Sequence, residues 1–437
     1  MRASNSPASV AAAAPNPSGE PKPRSCPACG ATGSVRTFLS LGALPLGNAF
    51  VPPEEVPEER EFPLDMGFCE RCCLVQVIDP APASALDRVY RHYSYVPTGT
   101  TLARHYRDLA EEVIDVVRPA SGSLFVDVGS NDGLLLRELR GHAPGIRIVG
   151  VEPSDKISEI ARNHGVPTVH GFFDDAAVRS VRSEFGSATV VSATQVFQHL
   201  REPAEFLRKA ESLLEPEGTL VLEGRAYMPD VIAKVSFDTF YHELLFCFTL
   251  HSLHEILGRA GFVVFHAERS DVYGGSLRVY ARKASGSRPV DGTVAELLRF
   301  EKECGVPAFE TYRAFGARVA GVRDELARTV RDLRSAGNRI VGYGAPSTGN
   351  TLLNYCRLGR EFLDCIVDDN PLKQGLVAPG THLPITDSRV LEDRTPEYVL
   401  LVAWRLREEI LAKLHPLRSR GLRGVIVPLP SPEVVGA

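Results

Sequence analysis

The sequence predicts an α/β fold in three parts, and three observations predict it. Five of the nine cysteines fall between residues 26 and 73. From residue 123, apolar strand-like runs alternate with helix-like segments, and a second such series begins near residue 339. Strands that alternate with helices indicate parallel sheets with helices on both faces. We therefore expect a central Rossmann-like domain flanked by a small N-terminal cysteine-rich module and a C-terminal Rossmann-like domain.

Composition and length fit this arrangement. The chain has 437 residues, of which 44% are hydrophobic and 24% charged, and its net charge is -5. That length exceeds what one core usually supports, and the charge gives no reason to expect nucleic acid or an anionic membrane as partner. No run of about 18 apolar residues occurs. We expect a cytoplasmic protein, not bound to membrane, that acts on a small molecule; its oligomeric state is not predicted.

The first segments of the chain are a tail and a small module. Residues 1–24 are rich in Ala, Pro and Ser and predict a disordered tail, because the apolar run Val10–Ala14 is too short for a signal peptide. Residues 25–85 contain three β-like stretches joined by turns, and too little apolar sequence to fold unaided. The β-like stretches are Val35–Leu39, Phe62–Phe68 and Leu74–Ile78.

The cysteines of this module predict a metal site. Cys26 and Cys29 form one C-x-x-C motif and Cys69 and Cys72 form another. Two such motifs together make the four-sulfur tetrahedron that Zn²⁺ prefers, and a full set of thiolates leaves no open position, so the metal is structural. Cys73 could replace Cys72, although the two-residue spacing favours Cys72. The alternative is a chance grouping of buried cysteines.

The central domain is expected over residues 86–285. A helix over Leu102–Val117 carries apolar residues at helical spacing. Strands and helices then alternate: strands at 124–129, 146–153, 189–200 and 218–224, and helices at 134–142 and 155–164.

The turn after the first of these strands predicts the cofactor. It reads Asp-Val-Gly-Ser-Asn-Asp-Gly over residues 127–133, and its glycines let the backbone approach a ligand. The G-x-G-x-x-G spacing of a dinucleotide site is absent. An acidic, glycine-containing loop suits the methionine part of S-adenosylmethionine, whose ammonium needs carboxylate and carbonyl neighbours. The predicted cofactor-binding residues of this loop are Asp127, Gly129, Asn131, Asp132 and Gly133.

Other strand ends add candidate cofactor contacts. Glu152 ends the next strand and is placed to accept hydrogen bonds from both ribose hydroxyls. Asp174 and Gln195 sit at later strand ends, where such a sheet binds ligands. Either could contact adenine or the methionine ammonium, and the alternative for each is an ordinary polar loop residue. The 127–133 loop and Glu152 together predict a class I methyltransferase domain; the alternative is an unrelated α/β enzyme in which Glu152 is a solvated carboxylate.

A polar–aromatic cluster follows the cofactor unit. Tyr241, His242 and Glu243 could supply a base, a proton carrier and an oxyanion donor. Because three consecutive residues cannot all face one point, at most two should share a cavity. The alternative is that His242 is a core or surface histidine with Tyr241 packed beside it.

The last part, residues 286–437, is expected to be the C-terminal Rossmann-like domain. A long amphipathic stretch at 294–333 predicts one or two helices that join the domains. A strand, a glycine loop and a helix then follow at 339–356, and further apolar strands lie at 398–405 and 424–430.

Taken in order, these features resemble the sugar C-methyltransferases that act on nucleotide-activated 4-keto-deoxyhexoses in antibiotic biosynthesis. The likeness runs from Cys26 to the C-terminus through the zinc module, the 127–133 loop, the Tyr-His-Glu cluster, the Gly-Gly-Ser-Leu-Arg-Val-Tyr segment at 274–280 and the glycine loop at 342–350. The resemblance implies a zinc domain, a cofactor domain and a C-terminal domain that contributes to sugar-nucleotide binding. It also implies that a base removes the C3 proton of the sugar and that the enolate attacks the cofactor's methyl group.

The chain departs from the family at three positions. Leu244 stands where the family has the histidine usually assigned as base, Tyr273 replaces the histidine of His-Gly-Gly-Ser, and Pro-Trp-Asn reads Ala403-Trp404-Arg405. Because leucine cannot transfer a proton, His242, Glu243 and Tyr273 are the replacements to test, together with Tyr241. An O- or N-methyltransferase acting on a sugar or small natural product, or a silent member that only binds its ligands, is the alternative.

Overall fold

The computed structural model describes residues 24–86 and 100–436. The predicted tail, apart from Arg24, lies outside the described residues. The described chain forms three β-sheets with helices packed around them. None of the helices described is both long enough and apolar enough to cross a membrane.

The elements are numbered in chain order. The strands are β1 (Val35–Pro45), β2 (Glu61–Cys69), β3 (Val75–Ile78), β4 (Leu124–Val128), β5 (Arg147–Glu152), β6 (Thr168–His170), β7 (Ala188–Thr194), β8 (Leu214–Arg225), β9 (Phe246–Cys247), β10 (Phe262–Ser270), β11 (Ser276–Lys283), β12 (Ile340–Tyr343), β13 (Ile366–Val367), β14 (Ile385–Thr386), β15 (Tyr398–Leu401), β16 (Gly424–Val427) and β17 (Glu433–Gly436). The helices are α1 (Thr100–Val117), α2 (Leu134–His142), α3 (Asp155–Asn163), α4 (Asp175–Phe185), α5 (Pro203–Leu213), α6 (Met228–Lys234), α7 (Leu250–Arg259), α8 (Gly292–Glu303), α9 (Phe309–Ser335), α10 (Ser347–Tyr355), α11 (Val390–Asp393) and α12 (Arg407–Leu414).

The N-terminal sheet is antiparallel and has the order β1-β2-β3-β9. Its first three strands are those expected from the sequence. The fourth comes from far along the chain: Phe246 and Cys247, which begin three positions after Glu243, pair with β3. This pairing fixes the cluster against the N-terminal module.

The central sheet has the order β10-β11-β8-β7-β4-β5-β6. Strands β6, β5, β4, β7 and β8 are parallel, and β11 runs antiparallel between β8 and β10. The chain leaves β4 toward β5 on one side and reaches β7 on the other. Ligands bind such sheets outside the carboxyl ends of the strands at this reversal, which is where the 127–133 loop lies.

The C-terminal sheet has the order β14-β13-β12-β15-β16-β17 and is parallel except for β17. The strand order reverses at β12, so the carboxyl edge of β12 is again the expected ligand edge. The 27-residue helix α9 leads into this sheet. Its buried residues recur every three or four positions from Tyr312 to Val330, which gives it one apolar face.

One apolar core is shared by all three parts. It contains Met66 from the N-terminal sheet, Leu244 from the segment before β9, Tyr312 from α9, and Leu352 and Leu400 from the C-terminal domain. Because a single core joins them, the three parts hold one another in place.

Candidate functional site

The two C-x-x-C motifs fold into matching turns. In the first turn, the Cys26 N–H donates to Ala31 O and the Gly30 N–H donates to Cys26 O. In the second turn, the Cys69 N–H donates to Leu74 O and the Cys73 N–H donates to Cys69 O. Cys73 therefore occupies the position of Gly30, and both have positive φ, 59° and 71°. Cys73 is a turn residue, and Cys72 is the residue placed with the other thiols.

The four sulfurs fit a zinc ion. Cys26, Cys29, Cys69 and Cys72 are buried, and their Sγ atoms lie within 4.8 Å of one another. The Sγ–Sγ distances of Cys26–Cys72 and of Cys29–Cys69 are both 3.7 Å. A tetrahedron with Zn–S bonds of about 2.3 Å has edges of about 3.8 Å, which is close to these two distances. Four thiolates close every position of the metal, whose part is to stabilise the module.

The loop after β4 requires glycine at two positions. Gly129 has φ +70° and Gly133 has φ +77°, a region that other residues rarely adopt. A Cβ atom on Gly129 would lie 2.5 Å from Val196 Cγ2, and one on Gly133 would lie 2.7 Å from Val166 Cγ2. The loop therefore passes tightly between the strands and begins α2 directly after Gly133.

Glu152 joins this loop to the end of β5. Its Oε2 accepts a hydrogen bond from the Asn131 N–H at 3.0 Å, and its Oε1 accepts one from the Ser154 N–H at 2.9 Å. Burial raises the pKa of Glu152, and the two backbone donors lower it. Each carboxylate oxygen retains a second lone pair, so the ribose hydroxyls predicted as its partners have acceptors available.

The two aspartates of the loop are held differently. Asp127 is buried and accepts a hydrogen bond from Ser192 Oγ at 2.6 Å; burial raises its pKa to about 7. Asp132 accepts the Leu134 N–H at 3.2 Å and forms an ion pair with Arg137 at 3.2 Å. These contacts fix the carboxylates before any ligand binds.

Gln195 and Asp174 are engaged within the protein. Gln195 Oε1 accepts from the Arg225 N–H at 3.1 Å and from Arg225 Nε at 3.2 Å. Asp174 caps α4 by accepting the Ala177 N–H at 2.9 Å. The predicted cofactor contact of Gln195 stays a prediction. In the structure, its side chain holds Arg225 in place.

The Tyr-His-Glu side chains point to three different neighbours. Tyr241 packs in the shared core. His242 Nε2 lies 2.9 Å from Phe62 O, and Glu243 Oε2 accepts from Asn48 Nδ2 at 2.5 Å. Burial lowers the pKa of His242, which favours its neutral form, although its hydrogen bonds to the backbone of Phe62 and Pro63 act in the opposite direction. Of the three, Glu243 has a carboxyl group whose pKa is raised furthest toward neutrality.

Glu243 is a buried carboxyl whose two oxygens have different surroundings. Its Oε1 is enclosed and has no hydrogen-bond partner among the residues described. Burial raises its pKa to about 7, whereas the hydrogen bonds from Asn48 and the charge of Arg225 lower it. A carboxylate whose pKa lies near neutrality is suited to remove a proton.

Comparisons with known proteins agree with these sites. The chain matches family models for a zinc binding domain over residues 26–86, a methyltransferase domain over 102–267 and a C-methyltransferase C-terminal domain over 271–430. It is 33% identical over 404 residues to the C-methyltransferase NovU of Streptomyces niveus, covering 91% of this chain and 94% of NovU. The chain belongs to the C-methyltransferase family. The predicted family, the class I methyltransferase fold and the cofactors S-adenosylmethionine and structural zinc are confirmed.

Other similarities cover only part of this C-methyltransferase. It is 28% identical over 142 residues to the mitochondrial ubiquinone biosynthesis O-methyltransferase of Arabidopsis thaliana, covering 30% of this chain and 42% of that protein. The solved structure of magnesium protoporphyrin IX methyltransferase from Synechocystis PCC 6803 with bound SAH shares 15% identity at a TM-score of 0.34, over 46% of this chain and 95% of that one.

Two residues missed by the sequence analysis lie beside Glu243 in this C-methyltransferase. His199 Nδ1 hydrogen bonds to the backbone oxygen of Glu243. Donation from Nδ1 to a carbonyl leaves Nε2 as the acceptor nitrogen. Burial and the charge of Arg225 lower the pKa of His199 to about 4. Its only sequence clue was its place in the exit loop of β7.

Arg225 is the second missed residue and the cation of this region. Burial is the largest influence on three neighbouring pKa values: it lowers that of His199 and raises those of Glu243 and Tyr241. The charge of Arg225 acts downward on all three. Its guanidinium carbon also lies 4.6 Å from the centroid of the Tyr273 ring. Tyr273 has φ +55°, a strained value for a tyrosine, so the surrounding structure holds its ring in this place.

The positions that depart from the family have distinct surroundings. Leu244 is fully buried in the shared core. Arg405 donates to both oxygens of the buried Asp238, at 2.6 and 3.0 Å, and Trp404 Nε1 donates to the same carboxylate at 2.9 Å. Leu244 is therefore a packing residue, whereas Arg405 ties the C-terminal domain to the segment that carries Glu243.

Proposed function

We propose that this C-methyltransferase methylates C3 of a nucleotide-linked 4-keto-deoxyhexose through an enolate, in antibiotic deoxysugar biosynthesis. The observation that carries the proposal is Glu243, a buried carboxylate with a pKa of about 7 and one oxygen that has no hydrogen-bond partner within residues 24–86 and 100–436. A ketone acidifies the hydrogen on its neighbouring carbon, and a base of this kind can remove it.

The chain supplies the base and a positive charge to the reaction. Glu243 Oε1 takes the C3 proton, and the electron pair of the broken C–H bond passes to the ketone oxygen. Arg225 places its charge among Glu243, Tyr241 and His199, where negative charge on that oxygen would be stabilised. S-adenosylmethionine, when bound at the 127–133 loop, supplies the electrophilic methyl group that C3 attacks. This role for Glu243 removes the need for a histidine at Leu244.

The nucleotide part is proposed to lie toward the C-terminal domain. The carboxyl edge of β12 leads into the glycine loop and α10, and a Cβ atom on Gly47 would lie 3.1 Å from Ser347 O and 3.5 Å from Tyr241 Cβ. Lys373 Nζ donates to Ala345 O at 2.6 Å beside the same loop. This edge is the ligand side of the C-terminal sheet and lies next to the Glu243 segment.

The test uses purified full-length protein and matched pairs of sugars. Each pair contains a 4-keto-deoxyhexose and its 4-hydroxy counterpart, linked to thymidine or uridine diphosphate. We expect S-adenosylhomocysteine to form only with a keto sugar, and NMR of the product to show a methyl group bonded to C3. Turnover of the 4-hydroxy sugars with an O-methyl or N-methyl product would contradict the proposal and favour the O- or N-methyltransferase. Tight S-adenosylhomocysteine binding without turnover across the panel would also contradict it.

A further inference from the structure

A short segment of the zinc module reaches the centre of the site. β1 ends at Pro45, and the next residues enter the space between the Glu243 segment and α10. The carbonyl of Gly47 accepts a hydrogen bond from Asn350 Nδ2, which is buried in α10, at 2.7 Å. A Cβ atom on Gly47 would lie 3.1 Å from Ser347 O, which is a tight contact, so the segment is held by close packing and by a buried hydrogen bond.

Asn48 is held in this segment with its amide directed at Glu243. Asn48 Nδ2 donates to Glu243 Oε2 at 2.5 Å. The backbone N–H of Asn48 also contributes a hydrogen bond to this carboxylate. The contact joins residues 195 positions apart in sequence and leaves Oε1 as the oxygen without a partner in the described part of the chain.

We propose that Asn48 is a positioning residue of the active site: its side-chain amide holds Oε2 of Glu243, so that Oε1 is directed at the acceptor's C3 hydrogen. The N-terminal module thereby supplies part of the reaction centre in addition to its zinc site. This inference rests on the proposed role of Glu243 as the base.

Other charged and titratable groups around Glu243 also influence its ionisation. Arg225 favours its ionised form and Tyr241 lies close enough to interact with its charge. His199 contacts the backbone oxygen of Glu243, and its low pKa keeps it neutral above about pH 4. Because each of these groups remains when Asn48 is replaced, a change in the titration of Glu243 would report the lost amide.

The test is the pH dependence of kcat/KM for three forms of the full-length, zinc-loaded protein, using a nucleotide-linked 4-keto-deoxyhexose that the wild type methylates. Asn48→Leu keeps the approximate shape and removes the donor, and Asn48→Asp replaces the donor with a negative charge. Both changes remove a donor to the carboxylate and so favour protonated Glu243. The acid limb of the kcat/KM profile should therefore move from about pH 7 to higher pH, by about one unit for Leu and further for Asp. At high pH both variants should reach a plateau below that of the wild type, because Oε1 is no longer held in place, whereas a merely structural defect would lower the rate without moving the acid limb.

Glu243→Gln separates the failure of this inference from that of the proposed function. If Glu243→Gln abolishes activity while both Asn48 variants keep the wild-type acid limb, the role of Asn48 is overturned and that of Glu243 stands. If Glu243→Gln keeps the wild-type rate and limb, the proposed base is overturned and this inference falls with it. A low zinc content would show that Asn48→Asp fails to fold. In that case the test compares Asn48→Leu with Asn48→Ser, which keeps a hydrogen-bond donor. The acid limb of the Ser variant should then lie closer to that of the wild type than the acid limb of the Leu variant does.

Discussion

At the residue scale, neighbouring positions 243 and 244 have opposite environments. Glu243 is a carboxyl enclosed beside Arg225, whereas Leu244 packs into apolar side chains of the shared core. A one-position step along the chain thus separates a polar site from a packed core. The environment of Leu244 explains how leucine is accommodated there, and Glu243 is the base that we propose in place of a histidine at 244.

Restoring the family's histidine at 244 should therefore fail to help. Leu244→His would bury two ring nitrogens among apolar side chains and lose leucine packing, and we expect the free energy of unfolding to fall by about 2–4 kcal/mol with no gain in turnover. Leu244→Met, which nearly conserves volume, should cost less than about 1.5 kcal/mol. Urea unfolding and kcat measure both. A Leu244→His protein that is as stable as the wild type and more active would show that position 244 lines the reaction centre.

The residues around Glu243 mark the limit of sequence analysis at this scale. Tyr241, His242 and Glu243 were found because they are adjacent, and the structure separates their surroundings. Asn48, His199 and Arg225 were missed because they come from a turn after β1, an exit loop after β7 and the end of β8. Only the packing of these elements brings them together, and no local spacing records it.

At the element scale, the loop after β4 depends on backbone shape. Gly129→Ala would place a methyl group 2.5 Å from Val196 Cγ2 at φ +70°. We expect a loss of about 1–3 kcal/mol in the free energy of unfolding and at least about tenfold weaker binding of S-adenosylhomocysteine, measured by calorimetry, because a 1.4 kcal/mol change in binding is a factor of ten.

Gly141→Ala is the matched control for this loop. Gly141 lies in α2, and a Cβ atom there has no atom within 4 Å and no unusual φ. Alanine should stabilise the helix by about 0.5–1 kcal/mol and leave cofactor affinity unchanged. Equal effects of the two substitutions would contradict a special role for the Gly129 backbone.

The two cysteine turns make a second prediction at this scale. Cys29→Ser removes one of the four grouped sulfurs and should lower both the zinc bound per chain and the Tm. Cys73→Ser alters the turn position equivalent to Gly30 and should keep full zinc occupancy. Elemental analysis and thermal unfolding measure both. Equal zinc loss in the two variants would mean that Cys73 also binds the metal.

The elements themselves were well predicted where a local pattern sufficed. The paired C-x-x-C motifs, the apolar runs that became β4, β5 and β12, and the helical periodicity of α9 are local features. The two-residue strand β9 was not foreseen, because it is a strand only through its pairing with β3. The same pairing sets the position of the Glu243 segment.

At the scale of the whole molecule, ion pairing joins the C-terminal domain to the segment that carries Glu243. Asp238 is fully buried and is held by Arg405 and Trp404. Arg405→Ala would leave a buried carboxylate without its counter-charge, and we expect the free energy of unfolding to fall by about 3–5 kcal/mol. Combining it with Asp238→Asn removes the unpaired charge and should recover part of that loss. A double-mutant cycle by chemical unfolding measures the coupling between Arg405 and Asp238. If the losses of the two single variants simply add in the double variant, the two residues are not coupled and the prediction is wrong.

Hydrogen exchange at C3 of the sugar tests proton removal by Glu243 most directly. The measurement follows C3 of a nucleotide-linked 4-keto-deoxyhexose by NMR in D₂O, with no methyl donor present. The wild type should exchange this hydrogen for deuterium at a rate that rises with pH through about 7, because only ionised Glu243 accepts the proton. Glu243→Gln should lose the exchange by about 10²–10⁴-fold while it binds S-adenosylhomocysteine as the wild type does. Exchange at the wild-type rate by Glu243→Gln, or an acid limb near pH 4 that identifies His199, would contradict the account.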